Sequence, residues 1–178
     1  RLQVEHPVTE MVTGIDLVKE QIKIASGKRL SFQQSDIVFK GHAIEARLYA
    51  ENPNNNFLPE TGTIANLSFS NSANIRWDSG IKKGDKVTPD FDPMLAKVIS
   101  FSETREESAN ILSKELKSIH LPGVITNKDF LIGCLENKSF LSGKTTSDFI
   151  ERYNKKLFPM KDKGNIDRCM KATVAGLQ

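Results

Sequence analysis

The chain has 178 residues, 38% of them apolar, enough to bury one core of ordinary domain size and a smaller satellite. Lys and Arg total 25 against 22 Asp and Glu, a net charge of +3 spread along the chain, which excludes the concentrated basic face of a nucleic-acid binder and predicts a solvated mixed surface. No apolar run approaches the ~20 residues of a membrane-spanning helix, and Arg1-Leu2-Gln3 is unlike a signal peptide, so the expectation is a soluble intracellular protein with neither nucleic acid nor membrane as partner. Cys134 and Cys169 have no CxxC spacing and no neighbouring His, so neither a zinc site nor a disulfide framework is indicated. Cys134, set among Leu131, Ile132 and Leu135, is expected to fill core.

Arg1 to Glu5 alternates polar and apolar residues with a period of two, the pattern of a half-buried strand. It starts with no turn before it, as expected of a piece of a longer chain. After Pro7, Val8 to Val12 is predicted as a short helical turn closed by Gly14. Ile15 to Ala25 is predicted as a fuller helix, with Leu17, Val18, Gln21, Ile22 and Ala25 facing inward and Gly27-Lys28 as a left-handed stop. From Ile37 to Ala50 the period returns to two: His42, Ile44, Ala46, Leu48 and Ala50 share one face, Ala43, Glu45, Arg47 and Tyr49 the other. Asn52 to Gly62 is turn-rich, and Thr63 to Phe69, Ile75 to Asp78 and Met94 to Phe101 read as short strands, with a Lys83-Gly84-Asp85 turn among them. Thr104 with Glu107 forms a capping box for a helix whose stripe is Ala109, Leu112, Leu116 and Ile119, ending before Pro122-Gly123. A second helix is predicted from about Asn127 to Glu136, and a short third, opened by Thr145 and Asp148, carries Phe149 and Ile150. Pro159 to Asn165 is linker-like. Strands followed by helices, rather than strict alternation, predict an α+β fold with an antiparallel sheet and flanking helices.

The period of two puts Arg1, Gln3 and Glu5 in one row, ~6.6 Å apart for each pair of residues. A guanidinium forks onto a planar oxyanion and an amide can donate to a third oxygen, so the row suits a small carboxylate or bicarbonate. Glu5 would be the base nearby, held ionised by Arg1. An exposed strand face with a salt bridge accounts for the same three residues, and pattern alone favours it. His6, offset by one from Glu5, is expected to point away and to make a structural hydrogen bond ahead of Pro7. Arg47, by pattern, serves equally well as an ion-pair partner of Glu45.

The run Arg1-Leu2-Gln3-Val4-Glu5-His6-Pro7-Val8-Thr9-Glu10-Met11-Val12-Thr13-Gly14 closely resembles the signature of biotin carboxylases, the ATP-grasp enzymes that carboxylate protein-linked biotin. The resemblance continues through Gly41-His42-Ala43-Ile44-Glu45-Ala46-Arg47, Phe57-Leu58-Pro59, Asp92-Pro93-Met94, Lys97, Thr126-Asn127 and Phe130-Leu131, to about Glu151. It implies the last strand and helices of an ATP-grasp domain at 1–36, a biotin carboxylase C-terminal domain at 37–152, and a linker toward downstream domains at 153–178. It also implies that Arg1, Gln3, Val4 (through its backbone) and Glu5 bind bicarbonate, and that Glu5 activates it towards the γ-phosphate of ATP to give carboxyphosphate. Arg47 would bind biotin and steady the charge developing on the ureido oxygen, a fixed cation favouring the transition state. Catalysis would thus fall to Glu5, Arg47 and Arg1. Arg76 matches a position near a twofold interface, a surface arginine packed on Trp77 being the equal alternative. Thr146 and Ser147 fall where the family's last helix approaches the adenine.

The stretch Tyr49-Ala50-Glu51-Asn52-Pro53 followed by Phe57 to Gly62 is similar to the biotin-bearing subunit of 3-methylcrotonyl-CoA carboxylases, with propionyl-CoA and acetyl-CoA carboxylases still open. The implied cofactors are biotin, carried on a domain outside this sequence, and ATP with Mg²⁺ or Mn²⁺. The implied partners are a biotin carboxyl carrier domain, a carboxyltransferase subunit and a second copy in a homodimer. The location would be the mitochondrial matrix in a eukaryote and the cytoplasm otherwise. The sequence holds no glycine-rich phosphate loop, ATP-grasp lysine cluster, acidic pair for Mg²⁺ or Met-Lys-Met biotinylation site, so the chain alone is expected to be inactive. Two other readings stand beside this one: a dimerisation or interaction module whose edge Arg1, Gln3 and Glu5 decorate, and an ATP-grasp ligase acting on carbamate or an amine.

Overall fold

In the computed structural model, which describes residues 1–70 and 72–158, two helices, α1 (His6–Thr13) and α2 (Leu17–Ala25), precede the first long strand, β1 (His42–Tyr49). Short strands follow, β2 (Glu51–Asn52), β3 (Leu58–Pro59) and β4 (Gly62–Thr63), then β5 (Ile75–Ser79), β6 (Lys86–Val87) and the second long strand, β7 (Met94–Ser102). Helices α3 (Arg105–Ser118), α4 (Lys128–Leu135), α5 (Lys138–Leu141) and α6 (Phe149–Leu157) complete the described chain. The central sheet is antiparallel in the order β1-β7-β5, and the short strands pair as β2 with β3 and β4 with β6.

The alternation of β1 divides the sheet into two faces of opposite character. Ile44, Ala46 and Leu48 pack with Val98 of β7 against Ala109, Leu112, Leu116 and Ile119, so the stripe read from α3 is buried as expected. On the other face, register sets Arg47 opposite Lys97 and Lys97 opposite Asp78, with Glu45 and Arg76 flanking Ile99 one step along. Cross-strand partners share a face, so five ionisable side chains crowd one side of three strands. The antiparallel sheet with flanking helices is the α+β arrangement predicted. A satellite core gathers Phe130, Phe149 and Leu157, with Phe57 edge-on to Phe130 and Cys134 packed beside them. Burial pushes the Cys134 thiol up to about 11, which suits filler and not a nucleophile. Cys169 and the linker-like 159–165 lie outside the described residues.

Four expectations change. Arg1 to Glu5 is not a strand: residues 1–3 are irregular, and Val4-Glu5 is a turn leading into α1. A strand needs a neighbour to take its N–H and C=O groups, and none of the described residues pairs with this segment. The Gln3 carbonyl instead accepts from the His6 backbone N–H and ring Nδ1, at 3.2 and 2.8 Å. The side-chain alternation survives, with Arg1, Gln3 and Glu5 exposed and Leu2 and Val4 half-buried. Second, α2 is capped by Asp16, but its apolar stripe faces out: Val18 and Ile22 are exposed and Glu20 is buried. The Glu20 carboxylate reaches Lys23 Nζ at 2.7 Å and the Ser31 N–H at 3.2 Å, tying the helix to the following loop by polar contacts. Third, the predicted strand from Thr63 to Phe69 shrinks to the two residues of β4: the Ile64 N–H still reaches the Asp85 carbonyl beside β6, but the Ala65 N–H turns to the Pro122 carbonyl. Fourth, α5 stands where no helix is predicted, and α6 runs to Leu157, longer than the short helix expected there.

Lys23 and then Ser31 hold the Glu20 carboxyl at about 2, below its ordinary 4.5. A lowered carboxylate stabilises the fold above the unfolded value, and that contribution is lost as pH falls from 4.5 through 2. Glu20→Gln is therefore expected to lower Tm at pH 7, with the gap to the parent protein closing on acidification; thermal unfolding across pH checks it.

Candidate active site

Pro7 sits in the first turn of α1, where its missing N–H costs no helical bond, and leaves Glu5 at the helix entrance. α1 lies over the charged face of the sheet, against β1 and β7. This placement joins residues 42 positions apart: Arg47 Nη2 donates to Glu5 Oε2 at 2.6 Å, from side chains 39% and 53% exposed. Being solvated, the pair contributes little to stability. On its other edge, Arg47 Nε lies 3.8 Å from Glu45 Oε1, and the Glu45 side chain is only 4% exposed. Neither Glu45 oxygen has a hydrogen-bond partner. Burial pushes the Glu45 carboxyl above its ordinary range, against the pull of Lys97, Arg47 and His6.

A polar seam fastens residues 4–17 to the sheet. Lys97 Nζ donates to the Val4 carbonyl at 3.2 Å and lies 3.3 Å from Asp78 Oδ2. Asp78 accepts both Nε and Nη2 of Arg76, at 2.8 and 2.9 Å, while Arg76 Nη1 donates to Glu10 at 2.7 Å. Glu10 in turn accepts from the Leu17 N–H at 2.8 Å. Burial alone would raise the Asp78 carboxyl; Arg76 and Lys97 together hold it below the usual range. Arg47 is also steadied through its backbone. Its carbonyl accepts from Asn127 Nδ2 at 3.1 Å and the Tyr49 N–H donates to Asn127 Oδ1 at 2.9 Å, beside the register shift at Leu48/Tyr49.

Of the residues singled out in the sequence, the structure brings together Glu5, Arg47 and the Val4 backbone. The Arg1 and Gln3 side chains are exposed and make no hydrogen bond or ion pair among the described residues. His6 turns back to the Gln3 carbonyl, the structural bond expected of it. Arg76 is not packed on Trp77 as that alternative had it; the Trp77 ring packs against Phe69, centroids 4.5 Å apart, while Arg76 is taken up by Asp78 and Glu10. Thr146 donates to Asp148 at the start of α6 and Ser147 is exposed; among the described residues neither bonds to Glu5 or Arg47. Sequence reasoning passed over the work of Lys97, Asp78 and Asn127. Lys97 lay within the resemblance, but its reach to Val4 needs the strand register, and Asn127 before a helix reads as a cap, whereas its side chain bonds β1 instead. Among the described residues no group of three or more His, Cys, Asp or Glu could hold a metal ion.

Residues 45–152 match the family model for the biotin carboxylase C-terminal domain, and residues 1–33 that for the carbamoyl-phosphate synthase L chain ATP-binding domain. The sequence is 44% identical over 154 residues to biotin carboxylase 1 of Bacillus subtilis, covering 86% of this chain and 34% of that protein. It is 41% identical over 160 residues to the mitochondrial methylcrotonoyl-CoA carboxylase subunit alpha of Rattus norvegicus, covering 89% of this chain and 22% of that one. The fold superposes with a TM-score of 0.87, at 38% identity, on the biotin carboxylase domain of Hydrogenobacter thermophilus 2-oxoglutarate carboxylase, a dimer solved with MgADP, ADP and bicarbonate; 90% of this chain and 36% of that one are covered. The chain spans 34% and 22% of the length of these two curated relatives.

Proposed function

We propose a function from one premise, that this chain belongs to the biotin carboxylase family. It supplies one wall of the active site in the biotin carboxylase component of an acyl-CoA carboxylase, an ATP-dependent ligase that carboxylates protein-linked biotin with bicarbonate through carboxyphosphate. The observation that carries this reading is the meeting of Glu5 and Arg47 across 42 residues, an exposed base under an exposed cation. Arg1, Gln3 and the Val4 backbone hold the bicarbonate, and Glu5 takes its proton. Arg47 faces the ureido oxygen of biotin and stabilises the charge that grows there when the adjacent nitrogen is deprotonated. ATP with its metal ion, when bound, would supply the phosphoryl group; among the described residues no cluster of three or more ligating side chains would hold the metal.

Residues 1–36 are read as the end of an ATP-grasp domain, 37–152 as the biotin carboxylase C-terminal domain and 153–178 as the start of a connection; the two family models support the first two. Partners on this reading are a biotin carboxyl carrier domain, a carboxyltransferase subunit and a second copy, the last supported by the dimeric relative; Arg76 is read as near the twofold interface. Thr146 and Ser147 lie toward the nucleotide. Methylcrotonyl-CoA is the acceptor of choice and the mitochondrial matrix the place in a eukaryote, supported by the rat relative. The full-length protein tests the reading: avidin is expected to abolish acyl-CoA carboxylation, and turnover indifferent to avidin would refute it.

A further inference from the structure

Glu45 is the one residue among those described whose buried side-chain oxygens lack any hydrogen-bond partner. Burying an ionisable group without partners is costly, and such groups in native proteins call for an explanation. Its basic neighbours are Lys97, Arg47 and His6. Two of them are engaged elsewhere: Lys97 with the Val4 carbonyl and Asp78, His6 with the Gln3 carbonyl. Arg47 is left. It stands two residues along β1 on the same face, its Nε edge 3.8 Å from Glu45 while its Nη2 holds Glu5 at 2.6 Å. Once Glu5 takes a proton from a bound acid, its carboxyl loses the negative charge that holds the guanidinium.

We infer that Glu45 is a positioning residue for Arg47: it receives the Nε edge of the guanidinium when Glu5 turns to its substrate, and so keeps the Nη groups aimed over the site. This rests on the reading of Glu5 and Arg47 as site residues. Without Glu45, a long flexible side chain released from Glu5 would sample orientations away from the reacting atoms, and misplacement of that kind lowers kcat more than binding.

The test is a double-mutant cycle in the full-length enzyme, with free biotin as acceptor. Glu45→Gln is expected to lower kcat by about 10-fold or more, with KM for ATP unchanged and Tm unchanged or raised. In an Arg47→Lys background, which has no Nε edge to hold, the same change is expected to alter kcat by less than about twofold. Glu45→Asp keeps the charge but withdraws it from Nε, and should reproduce the kcat loss with the fold retained. Equal kcat losses in both backgrounds, or parental kcat in Glu45→Gln and Glu45→Asp while Glu5→Gln and Arg47→Lys are crippled, would overturn the positioning role alone. Normal turnover in Glu5→Gln and Arg47→Lys would overturn the functional reading beneath it.

Discussion

Glu5→Gln in the full-length enzyme is expected to lower biotin carboxylation by about 10²- to 10⁴-fold, the usual worth of a positioned general base. The substitution is isosteric. Its amide oxygen can still accept from Arg47 Nη2, so the bond that joins α1 to β1 is kept while the ability to take a proton is lost. Arg47→Ala is expected to cost about 10²- to 10³-fold in kcat, the range seen when one fixed donor to a developing oxyanion is removed. Both side chains are solvated, so neither change should alter stability by more than ~1 kcal/mol. The two losses should combine to less than their product, because the residues share one site. Steady-state kinetics beside thermal unfolding separates the outcomes: near-normal kcat in either variant would turn the pair into an ordinary surface ion pair and favour the interaction-module reading.

Gly123→Ala is expected to destabilise the chain by ~3–5 kcal/mol or to prevent folding, from strained backbone and forced displacement acting together. Gly123 has φ +101°, a region open to glycine, and a Cβ there would run into the Thr63 carbonyl oxygen. Gly62 faces it from β4, where a Cβ would run into the Gly123 carbonyl oxygen. Two backbones therefore touch where the 122–123 turn crosses the start of β4, and the Ala65 N–H donates to the Pro122 carbonyl at 3.2 Å beside the contact. Neither obstacle is the far end of a flexible side chain, so relief requires moving the main chain. Gly80→Ala, at an open position without left-handed φ, is the control and should change Tm little. Chemical denaturation of the three proteins gives the comparison.

The physical reason for what could be read ahead is range. The buried face of β1 and the stripe of α3 follow from periods of two and 3.6, which neighbouring residues impose on one another, and Thr104 caps α3 within one turn of it. The same period of two in residues 1–5 misled, because alternation sets which side chains face together but a strand also needs a partner's hydrogen bonds. The stripe of α2 misled in another way: an apolar face is buried only where something packs on it, and two buried carboxylates hold that helix, Glu10 through the Leu17 N–H and Glu20 through the following loop.

By itself the sequence determined the α+β class, the two-faced β1, the principal helices and the family, since these rest on local periodicity and on runs of matching residues. Only the tertiary structure decided which charges meet. Arg47 lies between Glu5 and Glu45, Lys97 holds the Val4 carbonyl, and Arg76 ties Asp78 to Glu10, because strand register and the seating of α1 on the sheet are set by packing between segments far apart in the chain.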